Sequence, residues 1–396
     1  MARKLRIGFV AAQDALDING FSGSTFQMLS HIRQQDVTVE VYSPLDQSIK
    51  YLLAPVKAFA RLRKKTCTLE HYPLVAKSLA RQIHRLLRER PVDVLVASSS
   101  MPISALECEQ PILFWTDAVF HDMYGYYAKS FANMTSAGVE RAKRTEEAGL
   151  AHATYAVYGC DWAARTARKL TDPEKVRVLT FGPNLSIEHT AEDVKQWAEA
   201  RRRERPHGCR LLFIGVDWSR KGGAIAVETA RILNESGLPT TLTVVGTSPA
   251  EATPDYVETL GFISKSTPEG RARLAQLLRE ADFFILPTQA EATGIVFCEA
   301  SAFGLPALSY ATGGVPDYVR TGANGVCLPV GTPAEGFASA IRGILQTPDE
   351  YKALCSSAFH EYESRLNWDT SSRALVDLCR SAYEQRQNGE KRILTF

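Results

Sequence analysis

The chain has 396 residues, 45% apolar and 23% charged, with a formal net charge of +2 at pH 7. That balance belongs to globular proteins; it excludes disordered and fibrous classes, and it is too near neutrality for nucleic-acid binding by the surface as a whole. At about 150 residues per domain, the length favours two domains.

Taken in chain order, the N-terminal "LRIGFVAA" reads as a first strand, because its apolar run is short and acidic residues follow at once. "VTVEVYSPL", "VDVLVASS", "PILFWTD", "ATYAVYG" and "VRVLTFG" continue the series of short buried strands. Between them lie stretches of helical periodicity, such as "TFQMLSHIRQ" and "LVAKSLARQIHRLLRER". The alternation predicts βαβ units around a parallel sheet.

Residues 50–90 hold eleven Lys or Arg against two Glu. On a helix Lys57, Arg61, Lys64 and Lys65 would share one face and Leu52, Val56, Phe59 and Ala60 another, which suits either a solvated helix packed on the sheet or a helix lying on an anionic membrane. "AEDVKQWAEARRRERPHGC" is polar and charged and ends in Pro and Gly, the composition of a domain boundary, so a hinge is expected near 185–208. Beyond it "RLLFIGV", "TLTVVG", "YVETLGF", "DFFILPT", "PALSY" and "GVCLPV" repeat the strand pattern, separated by helical "AIAVETARILNES" and "EGRARLAQLLREA". The fold class is therefore α/β with two doubly wound domains, and ligands are expected beyond the carboxyl ends of the strands, in an interdomain cleft. The eight cysteines form no C-x-x-C pair and read as buried thiols in a reducing compartment. With no run of eighteen apolar residues, a cytoplasmic protein is expected.

"QAEATG" is the loop between the buried strand "DFFILPT" and the helix "TGIVFCEASAFG", which Gly304 closes. Glu291 lies in that loop and Glu299 about one and a half turns into the helix. If all eight steps were helical the two would stand about 12 Å apart along the axis, too far to act on one reacting atom. Either they are a solvated loop residue and an exposed helix residue, or they grip the two ends of a long ligand with an anion between them at the helix N-terminus. Gly294 would let the backbone approach such an anion. Arg220 and Lys221, directly after the strand "LLFIGV" and before Gly222 and Gly223, are a basic turn or a phosphate site.

"EATGIVFCE", with "YGCDWAA", "FGPN", the Lys-Gly of "RKGG", "GFISKS", "FGLPAL", "TGGVPD" and "LNWD", resembles the retaining glycosyltransferases of family 4 and their E-x7-E signature over most of the chain. The resemblance implies the GT-B fold, with an acceptor-binding domain at 1–187, a donor-binding domain at 188–371, and a C-terminal helix near 372–396 packing back on the first. It implies a hexosyltransferase-type enzyme that moves a sugar from a nucleotide-diphosphate donor to a glycan or lipid-linked hydroxyl, without a metal or another cofactor and without nucleic acid, at the inner face of the cell membrane. Arg220, Lys221, Glu291 and Asp117 would be catalytic. Glu291, Thr293, Gly294, Ile295 and Glu299 would hold sugar, phosphates and ribose, with Phe262 and Ile263 at the base and Gly20, Ser22 and Gly23 near the phosphates. His121 and Asp17 are acceptor-side candidates. The sequence departs from the family at Val216, where an arginine is usual and Arg220 is the candidate substitute, and at Asp117, where many members carry histidine. A sugar-nucleotide epimerase and a non-catalytic nucleotide-sugar-binding protein are the alternatives.

Overall fold

In the computed structural model, residues 3–18, 20–249 and 252–393 are described. The chain divides into one unit of residues 1–179 with 371–396 and a second of residues 180–370.

The first unit is built on β1 (Leu5–Val10), β2 (Val37–Tyr42), β3 (Val94–Ala97), β4 (Ile112–Thr116), β5 (Tyr155–Tyr158) and β6 (Val176–Val178). They form a parallel sheet in the order β2-β1-β3-β4-β5-β6, with Leu5 opposite Val37 and Ile7 opposite Val94. Every residue of β3, β4 and β5 is buried, as covering by helices on both faces requires, and this is why these strands read as unbroken apolar runs. The Trp115 indole N–H donates to the Leu179 carbonyl at 3.0 Å, tying β4 to the chain beyond β6. The last helix, Trp368–Ile393, buries Cys379 and Ala382, and its Gln385 donates to the Tyr155 hydroxyl at 3.1 Å.

The second unit contains β7 (Cys209–Ile214), β8 (Thr240–Val245), β9 (Val257–Thr259), β10 (Phe283–Leu286), β11 (Ala307–Tyr310) and β12 (Gly325–Leu328). The parallel order is β12-β11-β10-β7-β8-β9, with Phe283 opposite Leu211 and Phe284 opposite Ala307. Counted from β7, this is the 3-2-1-4-5-6 order of a dinucleotide-binding sheet, and the strand order reverses between β7 and β10.

The expected hinge at 185–208 falls within the second unit, which begins at Thr180. Ala191–Glu204 is a helix of the second unit, opened by a capping box between Thr190 and Asp193. Two of its arginines are buried. The Arg201 guanidinium donates to the carbonyls of Leu278 and Arg279 and to those of Phe303 and Gly304, the ends of two helices, while Arg202 bonds Asp282 at 2.7 Å. The charge that suggests solvent is spent on carbonyl groups that would otherwise be buried without donors.

Candidate active site

Two loops meet at the switch point of the second sheet, one after β7 and one after β10. Asp217 accepts from the Arg220 backbone N–H at 3.0 Å and so starts the short helix Trp218–Lys221. The turn that follows is forced to be glycine: Gly222 has φ 79°, and a Cβ there would lie 2.1 Å from the Pro287 carbonyl oxygen just beyond β10. This close approach lets the loops stitch together. Gln289 N–H donates to the Arg220 carbonyl at 2.8 Å, and Arg220 Nη1 to the Ala290 carbonyl at 2.7 Å. As a result Lys221 Nζ donates to Glu291 Oε2, and Arg220 Nη1 lies 3.9 Å from the same oxygen. Arg220 Nε also lies 3.5 Å from Asp217 Oδ2, so two cations and two carboxylates gather beside the strand ends, where the cations can turn to an anion.

The Glu291 carbonyl accepts from Gly314 N–H at 3.0 Å, so the "TGGVPD" stretch after β11 supports the loop from below. The helix Ile295–Ala302 begins at Gly294, which supplies no capping side chain, and its first turn holds no acidic residue. A Cβ at Gly294 would strike the Phe297 ring at 2.1 Å, so a bare backbone is required there. Thr293 is buried, and Ile295 is half-buried at the helix start. The helix start thus carries neither a side-chain cap nor an acidic residue, the arrangement in which first-turn N–H groups can take up an anion.

Glu299 is not the exposed helix residue that its spacing also allowed. It is buried, and its Oε1 accepts from Lys265 Nζ at 2.5 Å and from the Asn184 backbone N–H at 3.2 Å. Around it the "FGPN" stretch lies on the same helix: Cys298 Sγ donates to the Phe181 carbonyl at 3.3 Å, Phe181 stacks on Trp368 at 5.0 Å, and Trp368 Nε1 donates to the Pro183 carbonyl at 3.0 Å. Lys265 was missed in the sequence, although it stands two residues after Ile263 in a loop that follows a strand. Phe262 is exposed and Ile263 half-buried in that loop, beyond β9. Both carboxylates of the E-x7-E pair therefore carry a lysine. Val216, at the position of the usual arginine, is exposed.

In the first unit, Gly20–Gly23 forms a tight turn after β1, closed by Gly20 N–H on the Asp17 carbonyl at 3.2 Å; Ser22 and Gly23 have φ of 55° and 83° ahead of the helix Ser24–Gln34. Asp117 follows β4 directly, with Thr116 Oγ1 donating to it at 3.5 Å and the Cys160 thiol donating to its carbonyl at 3.6 Å. His121 Nε2 is 3.1 Å from Glu147 Oε1. Close to Asp117 lies a group the sequence reading passed over. Glu146 is buried, its carboxyl pushed up to about 7 by burial, against hydrogen bonds from Ser100, the Phe120 backbone and the Tyr158 hydroxyl. The available signal was a glutamate on the face of a helical pattern that also carries Ala142, Gly149 and Leu150. A cavity of about 490 Å³ between Glu107, Cys108, His152, Thr154, Gln385 and Arg386 opens at the amino ends of β4 and β5, the edge opposite to these groups.

Residues 208–347 match the family model described as glycosyl transferases group 1. The match falls within the second unit. The chain is 28% identical over 232 residues to the D-inositol 3-phosphate glycosyltransferase of Mycobacterium marinum, covering 56% of this chain and 48% of that protein. It spans about half the length of the curated relatives it matches. Over 97% of its length it shares the fold of the sucrose-phosphate synthase of Thermosynechococcus elongatus (all of that chain, TM-score 0.66, 16% identity). Over 95% it shares the fold of Anabaena Alr3699/HepE, solved in complex with UDP-glucose (all of that chain, TM-score 0.61, 15% identity). The two six-stranded parallel sheets with flanking helices are those of the GT-B glycosyltransferases. Within the matched residues lie Arg220, Lys221, Glu291 and Glu299, together with Lys265. No helix among the described residues is long and apolar enough to cross a membrane.

Proposed function

We propose that the protein is a retaining glycosyltransferase that moves a sugar from a nucleotide-diphosphate donor to a hydroxyl acceptor, without a metal, in glycan, lipopolysaccharide or glycolipid assembly. The observation that carries the reading is the pairing of Arg220 and Lys221 with Glu291 at the switch point, beside the uncapped start of the helix Ile295–Ala302. In this reading the diphosphate lies on the two cations and the first-turn N–H groups at Thr293, Gly294 and Ile295. Arg220 takes the part of the family arginine absent at Val216. Glu291 turns from Lys221 to sugar hydroxyls, and Glu299, fixed by Asn184, receives the ribose. The loop of Phe262 and Ile263 meets the base.

Chemically, the bond from the anomeric carbon to the diphosphate oxygen breaks while a bond to the acceptor oxygen forms on the same face. The acceptor proton passes to the departing phosphate. The charge growing on that phosphate is what Arg220 and Lys221 stabilise, because they hold their positions before the reaction starts. On the first unit Asp117, His121, Asp17 and the turn of Gly20, Ser22 and Gly23 are the acceptor-side candidates. A lipid-linked or glycan acceptor places the enzyme at the cytoplasmic face of a membrane, attached peripherally.

The test is an assay of nucleotide-diphosphate sugars against hydroxyl acceptors with a metal chelator present, the product anomer being read by NMR. Retained configuration, undiminished by chelator, is expected, and Glu291→Ala should lower turnover about a hundredfold or more. An inverted product would remove the retaining assignment, and near-normal turnover in Glu291→Ala would remove that residue's role. Conversion of donor to its epimer without acceptor would favour the epimerase; calorimetric binding with no product would favour a non-catalytic protein.

A further inference from the structure

The basic stretch at 50–90 splits into two unlike halves. The helix Pro73–Glu89 buries Val75, Ala76, Leu79, Ala80 and Ile83, so it is an ordinary sheet-packed helix. The segment before it packs against almost nothing: no residue of the 3-10 turn Ser48–Leu53 is buried, and in the helix Ala54–Leu62 only Ala60 is. Tyr51, Leu52, Phe59 and Leu62 are 81%, 68%, 55% and 83% exposed, so four large apolar side chains in twelve residues stand in water. Between Asp46 and Glu70 the chain has no acidic residue and six Lys or Arg, of which Lys50 is paired with Glu70 at 3.0 Å.

At about 100° per residue Val56, Phe59 and Leu62 fall on one side of the helix, and Lys57 and Arg61 on the opposite one, with Leu52 in the turn ahead of it. Lys64 and Lys65 do not continue the basic helical face as expected. The helix stops at Leu62, and Lys64 takes a left-handed φ of 53°, which turns both lysines off the axis. The Arg63 guanidinium sits over the Phe59 ring at 4.4 Å, joining the cationic end to the apolar side.

We propose that this segment, residues 48–65, is a membrane-interface helix that docks on a bilayer of anionic glycerophospholipid, its apolar side chains entering the acyl boundary and its cations resting on the headgroup phosphates. Charge decides among occupants. A second copy set against the same face by a two-fold would bring two cationic sets together, and a nucleic acid would leave the leucines unburied. The inference rests on the peripheral location named above but not on turnover.

The experiment is co-sedimentation of the full chain, without donor or acceptor, with vesicles of phosphatidylcholine alone or mixed with phosphatidylglycerol, at low and at high salt. Sedimentation is expected only with the mixed vesicles and should weaken with salt. Phe59→Ser with Leu62→Ser, and separately Lys57→Glu with Arg61→Glu, should each lower partitioning at least tenfold with unchanged thermal midpoints, since these side chains lie in solvent. Leu62→Trp should add an emission that shifts to the blue on the mixed vesicles. Absence of sedimentation overturns the proposal, and so does sedimentation that the serine pair leaves intact, which would mark ionic adsorption without insertion. Self-association without lipid that the serine pair abolishes overturns it in favour of a second copy.

Discussion

The two ends of β10 hold the same kinds of charge to different ends. Before the strand, Asp282 has no exposed area; it receives Arg202 at 2.7 Å and the Arg210 backbone N–H at 2.7 Å, with Arg205 at 3.5 Å. After it, Glu291 keeps some access to solvent and is held by Lys221 and Arg220 at the switch point. The first carboxylate is bound largely by rigid elements of the fold, and the second by side chains that can turn to another partner. The charge cluster at the amino edge of this strand serves the structure, whereas the one at its carboxyl edge lies where doubly wound sheets bind ligands.

The sharpest way to break this comparison is to delete one cation from each end. Arg202→Ala leaves Asp282 buried without its main partner and should cost about 3–5 kcal/mol in urea unfolding, with turnover unchanged wherever the protein remains folded. Lys221→Ala should do the reverse: turnover falls about a hundredfold or more, equivalent to about 3 kcal/mol in the barrier, while unfolding shifts less than in Arg202→Ala. Equal losses of stability in the two variants would erase the distinction.

Glu146 sharpens it, being a buried carboxylate that hydrogen bonds satisfy without an adjacent cation. Its carboxyl is raised from 4.5 to about 7 by burial, so between those values the unfolded chain ionises before the folded one does. The stability it allows is complete below about 4.5 and falls as pH rises toward 7. Glu146→Gln should flatten that slope and leave the variant more stable than the parent at pH 8, by at most about 3 kcal/mol, with little difference at low pH. Unfolding curves across this range would show a parallel slope in both proteins if the group does not titrate as described. The smallest effect belongs to the cap that starts the arginine-bearing helix: Thr190→Ala should cost about 1 kcal/mol, read as a lowered urea midpoint.

The strands were legible because each is a short apolar run that both faces of a parallel sheet must bury, and each quoted stretch contains one of β1 to β12. The loop of Glu291, the helix after it and the basic pair at 220 and 221 were legible for a related reason, since turn residues mark where strands end. The helix Ala191–Glu204 was misread because its charged residues look solvated until the carbonyls and the carboxylate they serve come into place from elsewhere in the chain. Its capping signal, Thr190 with Asp193, was nevertheless readable. Lys265 and Glu146 were hidden differently: their significance lies in partners 34 residues away for one and in burial for the other. No local period encodes either.

Arg201 has a mechanical consequence. By drawing on the Leu278 and Arg279 carbonyls of Pro268–Glu280 and on those of Phe303 and Gly304 just past Ile295–Ala302, one guanidinium pins the rear of the helix whose front carries the bare glycine. That rod is held against sliding along its own length. Changes in loop length between Pro287 and Gly294 must then be absorbed as slack ahead of it, leaving the depth of Glu299 untouched.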